Sequence, residues 1–293
     1  MQEKILDLKN QEINFKIPSQ TIALDIGQTL SKIVYYDKEE IKLLMVPTYS
    51  ENKKIIEFLK NEKDRFKEAK FTGGKAYQIY KKYSGEFKTK LINEFDANVK
   101  GIEFLYNLTK NKLLGSSIIV NLGTGTSVVL YDQKVEHLGG SAMGGGFFMG
   151  LTKILTNITD YEDAINLASK GDRYKIDLKV LDIYAPEDKR VSDLFREFTA
   201  ASFGKIDNSF SVKSCKEEDL INSIICLIGE NIGTIANLYA EIHNLQDIIF
   251  CGGFLKNNAI LKKILKLICR FNNKRAIFLI NSEFSGAIGA LII

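Results

Sequence analysis

The chain has 293 residues, 45% hydrophobic and 10% aromatic, with only three prolines; that is enough for one large or two modest cores and excludes a disordered or collagen-like chain. Forty Lys and Arg against 36 Asp and Glu leave a formal net charge of +4, which offers no electrostatic case for binding nucleic acid or a membrane surface. The four cysteines (Cys215, Cys226, Cys251, Cys269) form no C-x-x-C pair and the only histidines are His137 and His243, so a structural zinc site is not expected.

In chain order, residues 1–20 are polar and read as an extension, with no signal-peptide pattern. Thr21–Asp25 is a short apolar run stopped by Gly27, and strand character resumes over Ser31–Tyr36, which predicts strand–turn–strand. Residues 53–63 carry Ile55, Ile56, Phe58 and Leu59 among charges, an amphipathic helix. Lys70–Thr72 is a strand ending on Gly73-Gly74. A helix is expected from Glu94 to Thr109, and a strand over Ser117–Asn121. A turn at Gly123–Ser127 and a second strand, Val128–Tyr131, follow. The glycine-rich run 139–146 opens an apolar helix from Phe147 to Leu155. Residues 217–243 predict a long helix, apolar on more than one face and interrupted by too many polar residues for a good membrane span. Strand 247–251, Gly252-Gly253, helix 256–269, strand 276–280 and helix 285–293 complete the chain. Alternating strands and helices, with hairpins, make this an α/β chain with mixed sheets. The repeated strand–glycine turn–strand near Gly27 and Gly125 points to two related domains. Isolated cysteines and the polar N-terminus fit a reduced, soluble, cytoplasmic protein.

The chemistry concentrates in the turns. Glycine lets a backbone approach a ligand closely, and adjacent N–H groups with hydroxyls bind phosphate oxygens. Gly144–Gly146 also opens a helix, whose dipole favours anions. One such turn is ordinary; several at strand ends suggest a nucleotide held between two domains. There is no G-x-x-x-x-G-K-[ST], G-x-G-x-x-G or G-x-S-x-G, which removes the P-loop, the dinucleotide fingerprint and the hydrolase elbow. Instead Asp25-Ile26-Gly27-Gln28-Thr29 places an acid at a strand end before a tight turn. Such an acid can hold Mg²⁺, directly or through water, and Lys32 can reach a γ-phosphate.

Asp25–Thr29 resembles the first phosphate loop of the actin/hexokinase/sugar-kinase superfamily. Residues 21–293 more narrowly resemble the type II (eukaryotic-like) pantothenate kinases. The matching stretches are TLSKIVYY (29–36), FTGGKAY (71–77), NEFDANVKG (93–101), NLGTGTSVVL (121–130), GGGFFMGL (144–151), SKGDR (169–173), TAASFG (199–204) and FSGAIGAL (284–291), in the family's order. The resemblance implies a two-domain actin/hexokinase-like (ribonuclease H-like) fold with a cleft between domains. These would be a 21–113 ATPase-like domain and a 114–293 ATPase-like domain carrying a dimer-forming helix.

It also implies ATP-dependent phosphorylation of pantothenate, with Mg²⁺, in a homodimer. By the same resemblance Glu94 is the catalytic base, Lys32 the γ-phosphate lysine and Asp25 the metal-organising acid. Gly27, Gln28, Thr29, Gly123, Gly144, Gly145, Gly146, Gly252 and Gly253 fall on the nucleotide side. Thr124, Ser127 and His137, with Glu94, fall on the pantothenate side, and Thr199 matches a residue that reaches pantothenate from the opposite protomer. Coenzyme A or its thioesters are further candidate ligands. Two positions depart from the family: Gln28 replaces a glycine of the phosphate loop, and His137 stands where the family has a substrate-contacting arginine. They motivate two alternatives, a degenerate non-catalytic member that binds nucleotide or coenzyme A, and a same-fold kinase for another small hydroxyl substrate.

Overall fold

A computed structural model describes residues 2–9, 15–48, 53–62, 64–85, 88–190, 192, 197–207, 210–211 and 214–293. Strands β1 (Gln2–Asp7), β2 (Thr21–Ile26), β3 (Leu30–Asp37), β4 (Glu40–Pro47), β5 (Glu68–Thr72) and β6 (Lys88–Leu91) form one sheet in the order β1-β4-β3-β2-β5-β6. Strands β7 (Ser117–Leu122), β8 (Thr126–Asp132), β9 (Lys134–Ser141), β12 (Asp247–Cys251) and β13 (Arg275–Phe278) form a second, ordered β13-β12-β7-β8-β9, while β10 (Leu178–Lys179) and β11 (Thr199–Ala201) pair as a small separate ladder. In the first sheet β2, β3 and β4 run as an antiparallel meander and β5 and β6 add in parallel beyond β2. In the second sheet β7, β8 and β9 form the meander, and β12 and β13 add in parallel beyond β7. The two sheets therefore share one topology, as the repeated strand–glycine turn–strand pattern anticipates.

The helices fill three layers around these sheets. Among the described residues they are α1 (Lys53–Asn61), α2 (Ala76–Tyr83), α3 (Glu94–Lys110), α4 (Gly145–Thr156), α5 (Tyr161–Ala168), α6 (Glu217–Ile242), α7 (Ala259–Phe271) and α8 (Ser285–Ile292). Side chains of a strand alternate between faces. Ile22, Leu24 and Ile26 pack against Ile55 and Leu59 of α1 and Ile79 and Tyr83 of α2. Ala23 turns the other way, into a cluster with Val99, Ile102 and Leu105 of α3, Ile288 and Leu291 of α8, and Ile119, Val129 and Ile249 of the second sheet. Ile118, Val120 and Leu122 face α4, α5, α6 and α7 through Phe148, Ala164, Ile224, Ile228 and Leu261. Helices α3 and α8 are thus sandwiched between the two sheets, backbone against backbone. A Cβ at Gly101 would strike the Ser285 carbonyl, and one at Gly289 would strike that of Ala97.

Several elements differ from the pattern reading. Residues 2–7 are a strand, paired with β4 from Gln2↔Met45 to Asp7↔Glu40, and Leu6 and Leu8 are buried. Helix α8, placed in the second half by a 113/114 boundary, packs on β2, β3 and β5 of the first sheet. Gly139 and Gly140 end the exposed strand β9, whose ladder with β8 shifts register at Val128/Val129; only 145–156 forms helix. Helix α6 is long and apolar enough to cross a membrane by length and composition. Its apolar residues are largely consumed in the chain's own core, leaving Leu238 and Ile242 exposed near its end.

A buried ionic network holds the segment after α5 to α6. The Arg173 guanidinium bonds Asp177 through Nε and Glu230 through Nη1 and Nη2 at 2.8 and 3.1 Å. Asp177, fully buried, also accepts from the Ser223 hydroxyl and from Phe203 N at 2.8 Å. Removing one member leaves the others uncompensated in low dielectric. Asp177→Ala, which strands three donors, is expected to lower unfolding free energy by about 3–5 kcal/mol, read as a shifted urea midpoint at unchanged slope.

Candidate active site

The sequence positions the first acid by strand geometry. Asp25 is the penultimate residue of β2 and lies directly opposite Lys32 in the β2–β3 ladder. The Lys32 Nζ donates to Asp25 Oδ2 at 3.2 Å, with both side chains mostly covered. On its other side Asp25 adjoins Thr72, its register partner in β5. Gly73 follows with a φ of +93°, and a Cβ there would come within 2.5 Å of Asp25 Oδ1. Only glycine combines that backbone with that clearance. Below, Gly286 of α8 faces Oδ2.

Glu94 is positioned by a helix cap. The Asn93 side chain accepts from Phe95 N at 2.8 Å and Asp96 N at 3.3 Å, which satisfies two of the amides that open α3. Glu94 is then the first residue of the helix, open to the cleft on one side. Desolvation by the surrounding protein raises its carboxyl pKa above the ordinary value; Asp25 raises it further, and Lys32 offsets part of the effect. The structure therefore gathers Asp25, Lys32 and Glu94 into one electrostatic cluster. Aspartate and glutamate here repel, and lysine stands with them, an arrangement suited to a base next to transferred anionic groups.

The glycine turns close over this cluster. Thr29 Oγ1 and Thr124 Oγ1 lie 3.1 Å apart, so the turns after β2 and β7 meet across the cleft. Gly27 N donates to Leu30 O, and Gly123 N to Gly125 O at 2.8 Å, tightening each turn on itself. Gln28 lies within the first turn, between them. Gly144 precedes α4, and the N–H groups of Gly145 and Gly146 donate to Gly123 O and Thr124 O. These two amides are engaged by the neighbouring turn, so that α4 buttresses the 123–125 backbone. Ser127, in β8, pairs with Asn121 and Gly140. Gly252 and Gly253 follow β12, next to Phe254, which packs on Phe148 with centroids 5.2 Å apart. The Tyr161 hydroxyl donates toward Phe254 O and Lys256 O at 2.8 and 2.9 Å and holds this turn.

His137 lies opposite Val129 on β9, exposed, with its ring stacked on Phe95 at 4.3 Å between centroids. That puts it beside the start of α3. Thr199 is not brought into the cluster. It lies in β11, and its neighbour Phe198 packs edge-on against Phe271 at the far end of α7 from the Gly252-Gly253 turn. Pattern reading passed over Thr72, Tyr161, Gly286 and Asn98 as site residues, although Thr72, Asn98 and Gly286 lie inside the quoted stretches 71–77, 93–101 and 284–291.

The donor set suits a cation that arrives with its phosphates. Among the described residues no three or more His, Cys, Asp or Glu converge as a metal cage. Asp25 offers a carboxylate beside Lys32 and Glu94, within the one or two that a magnesium ion carrying waters and phosphate oxygens takes from a protein. The Thr72 hydroxyl next to it is fully buried with no hydrogen-bond partner, a polar atom left over in the wall of the site.

Two sheets of one topology around a helix pair, with facing glycine turns and an acid at the end of the first strand, define the actin/hexokinase-like class. Solved structures agree on the fold. The activator of 2-hydroxyisocaproyl-CoA dehydratase from Clostridium difficile, with bound ADPNP, superposes with a TM-score of 0.62 at 16% identity, over 93% of this chain and 92% of that one. A ROK family glucokinase from Streptomyces griseus, with glucose and AMPPNP, gives 0.57 at 12% identity, over 92% and 97%. The Fumble family model matches residues 21–293, and the chain belongs to that family. A type II pantothenate kinase of Bacillus anthracis is 37% identical over 275 residues, 93% of this chain and 96% of its own. Another, from Staphylococcus epidermidis, is 33% identical, over 92% and 98%.

The raised Glu94 pKa fixes a sign. A carboxyl whose folded pKa exceeds its unfolded value disfavours the fold when ionised, and the penalty vanishes as pH falls through the folded pKa toward the unfolded one. Glu94→Gln is expected to melt slightly higher than wild type at pH 7–8, by a small margin because the cleft is open to water, with the difference disappearing toward pH 4; parallel thermal melts across that range test it.

Proposed function

We propose that this chain transfers the γ-phosphoryl group of ATP to pantothenate, forming 4′-phosphopantothenate and ADP in the first step toward coenzyme A. The observation that carries the reading is near-full-length identity of 33–37% to relatives named type II pantothenate kinase, together with the Asp25–Lys32–Glu94 cluster in the cleft. The Glu94 carboxylate accepts the proton of the primary hydroxyl as its oxygen bonds to phosphorus and the bond to the ADP oxygen breaks. A base with a pKa pushed upward is better matched to that task than an ordinary glutamate. Lys32 offsets charge gathering on the transferred group. Asp25 would hold Mg²⁺, directly or through water, and the ion when bound would neutralise charge on the phosphates. The turns bearing Gly27, Gln28, Thr29, Gly123, Gly144–Gly146, Gly252 and Gly253 enclose the nucleotide; Thr124, Ser127 and His137 contact pantothenate.

The working unit in this reading is a cytoplasmic homodimer. Thr199 then reaches pantothenate from the other protomer, which accords with its distance from the cluster in its own chain. Coenzyme A or a thioester is a further ligand in the same reading.

A coupled ADP-release assay with Mg²⁺–ATP, with and without pantothenate, tests the reaction. Turnover that requires pantothenate is expected; turnover indifferent to pantothenate, or none, overturns the reading. Glu94→Ala should reduce kcat by about 10²–10⁴-fold while nucleotide still binds. The rate should fall on the acid side at a pH above the ordinary glutamate range, because the base must be ionised and its surroundings hold the proton more tightly. His137→Arg restores a permanently charged fork that can also stack on Phe95. It is expected to lower KM for pantothenate roughly tenfold, and an unchanged KM would separate His137 from the substrate.

A further inference from the structure

One turn beyond Glu94, on the same side of α3, Asn98 is buried and makes two side-chain bonds to separate elements. Its Nδ2 donates to Ser285 Oγ at 2.9 Å, and its Oδ1 accepts from the Cys251 thiol at 3.6 Å. Ser285 is the first residue of α8, and the next, Gly286, lies against the Asp25 carboxylate. Cys251 is the last residue of β12 and leads into Gly252-Gly253. One amide therefore joins the helix that carries Glu94, the helix end under Asp25, and the strand that delivers a glycine turn.

We propose that Asn98 is a positioning residue for Glu94. It fixes α3 in depth and rotation against α8 and β12, so that the Glu94 carboxylate is held next to Asp25 and Lys32. The inference rests on the reading of Glu94 as the base. The bonding pattern separates this role from simple stability. Ser285 Oγ also donates to Ser282 O at 2.8 Å, and Cys251 Sγ also reaches Val120 O at 3.5 Å. Loss of Asn98 leaves neither partner without an acceptor, so a variant of similar volume keeps the fold while α3 is freed to shift. Displacements of about 1 Å at a base cost on the order of 10²-fold in rate.

The test compares wild type, Asn98→Leu, Ser285→Ala and the double variant well below their melting temperatures. Asn98→Leu is expected to lower kcat at least tenfold, with KM for ATP and pantothenate changed by less than about threefold. Ser285→Ala should lose rate in the same direction, and the double variant no more than Asn98→Leu alone, since both remove one bond. A second readout needs no substrate. The Glu94 carboxyl, titrated by carbon-13 NMR and assigned by difference from Glu94→Gln, should titrate differently in Asn98→Leu, because a shifted α3 changes the desolvation first and the Asp25 and Lys32 charges with it. A folded Asn98→Leu with wild-type kcat and an unchanged Glu94 titration overturns the proposal. Wild-type protein that releases no ADP with pantothenate overturns the functional reading instead, and the titration then decides this inference alone. Should Asn98→Leu not fold, Ser285→Ala removes the same bond from the other side and carries the test.

Discussion

Two helix backbones, α3 and α8, touch in the middle of this molecule, and the rest of the structure is arranged around that contact. It exists because Gly101 and Gly289 have no side chain where each faces the other helix's carbonyls. Helices separated by ordinary side chains sit 8–10 Å apart; here the approach is closer, and two sheets can press on the pair from both sides. The helix from mid-chain and the helix from the chain's end thereby become one layer. The consequence is chemical as well as architectural. Glu94 opens α3 and Gly286 nearly opens α8, so the contact sets a carboxylate of the first half and the beginning of a helix from the second around the same Asp25 strand.

The cluster that results is balanced rather than neutral. Lys32 pairs with Asp25 across adjacent strands, a juxtaposition that strand register enforces regardless of side-chain preference. Glu94 then experiences both charges, and the carboxylate is the nearer influence in effect, since desolvation and Asp25 outweigh Lys32. A glutamate in that position resists ionisation more than one in water, yet the open cleft keeps it accessible. Ordinary core logic would have placed an apolar residue at this junction. Retaining two acids beside one lysine makes sense where a phosphate and a proton pass through.

Elements with a strong local signal were legible. Strands β2, β7 and β12 are continuous apolar runs closed by glycine, and α6 is a long apolar helix with an acidic first turn. Strands β4 and β9 were passed over for a specific reason. Their hairpins turn on Lys38, Glu39 and Gln133, which adopt positive φ without glycine, so the usual Asn-Gly or Asp-Gly punctuation is missing. Strand β9 is also exposed and carries Glu136 and His137, which masks its alternation. Short α5 has too few turns for a periodic stripe. At the site, Asp25, Lys32 and Glu94 carry a chemistry that the chain itself suggests, whereas Asn98 and Thr72, though within matching stretches, acquire neighbours only when β5, β12 and α8 are brought beside α3 and β2. No spacing in the chain encodes a neighbour 187 residues away.

Residues 2–7 show how the fold absorbs an addition without disturbing its centre. The strand lies outside the matched span of 21–293, yet it covers the free edge of β4, an edge that would otherwise present unpaired backbone groups. Lys4 reaches Glu283 at 2.6 Å and Asn281 at 3.3 Å, just ahead of α8. Its contribution is modest energetically, since the lysine is substantially exposed. Its geometric effect is larger, because the turn 282–284 sets where α8 begins and α8 in turn supports Asp25. Edge cover and helix entry are thus coupled through one side chain, and what they support is the place where the reluctant acid Glu94 opens α3 beside Asp25 and Lys32.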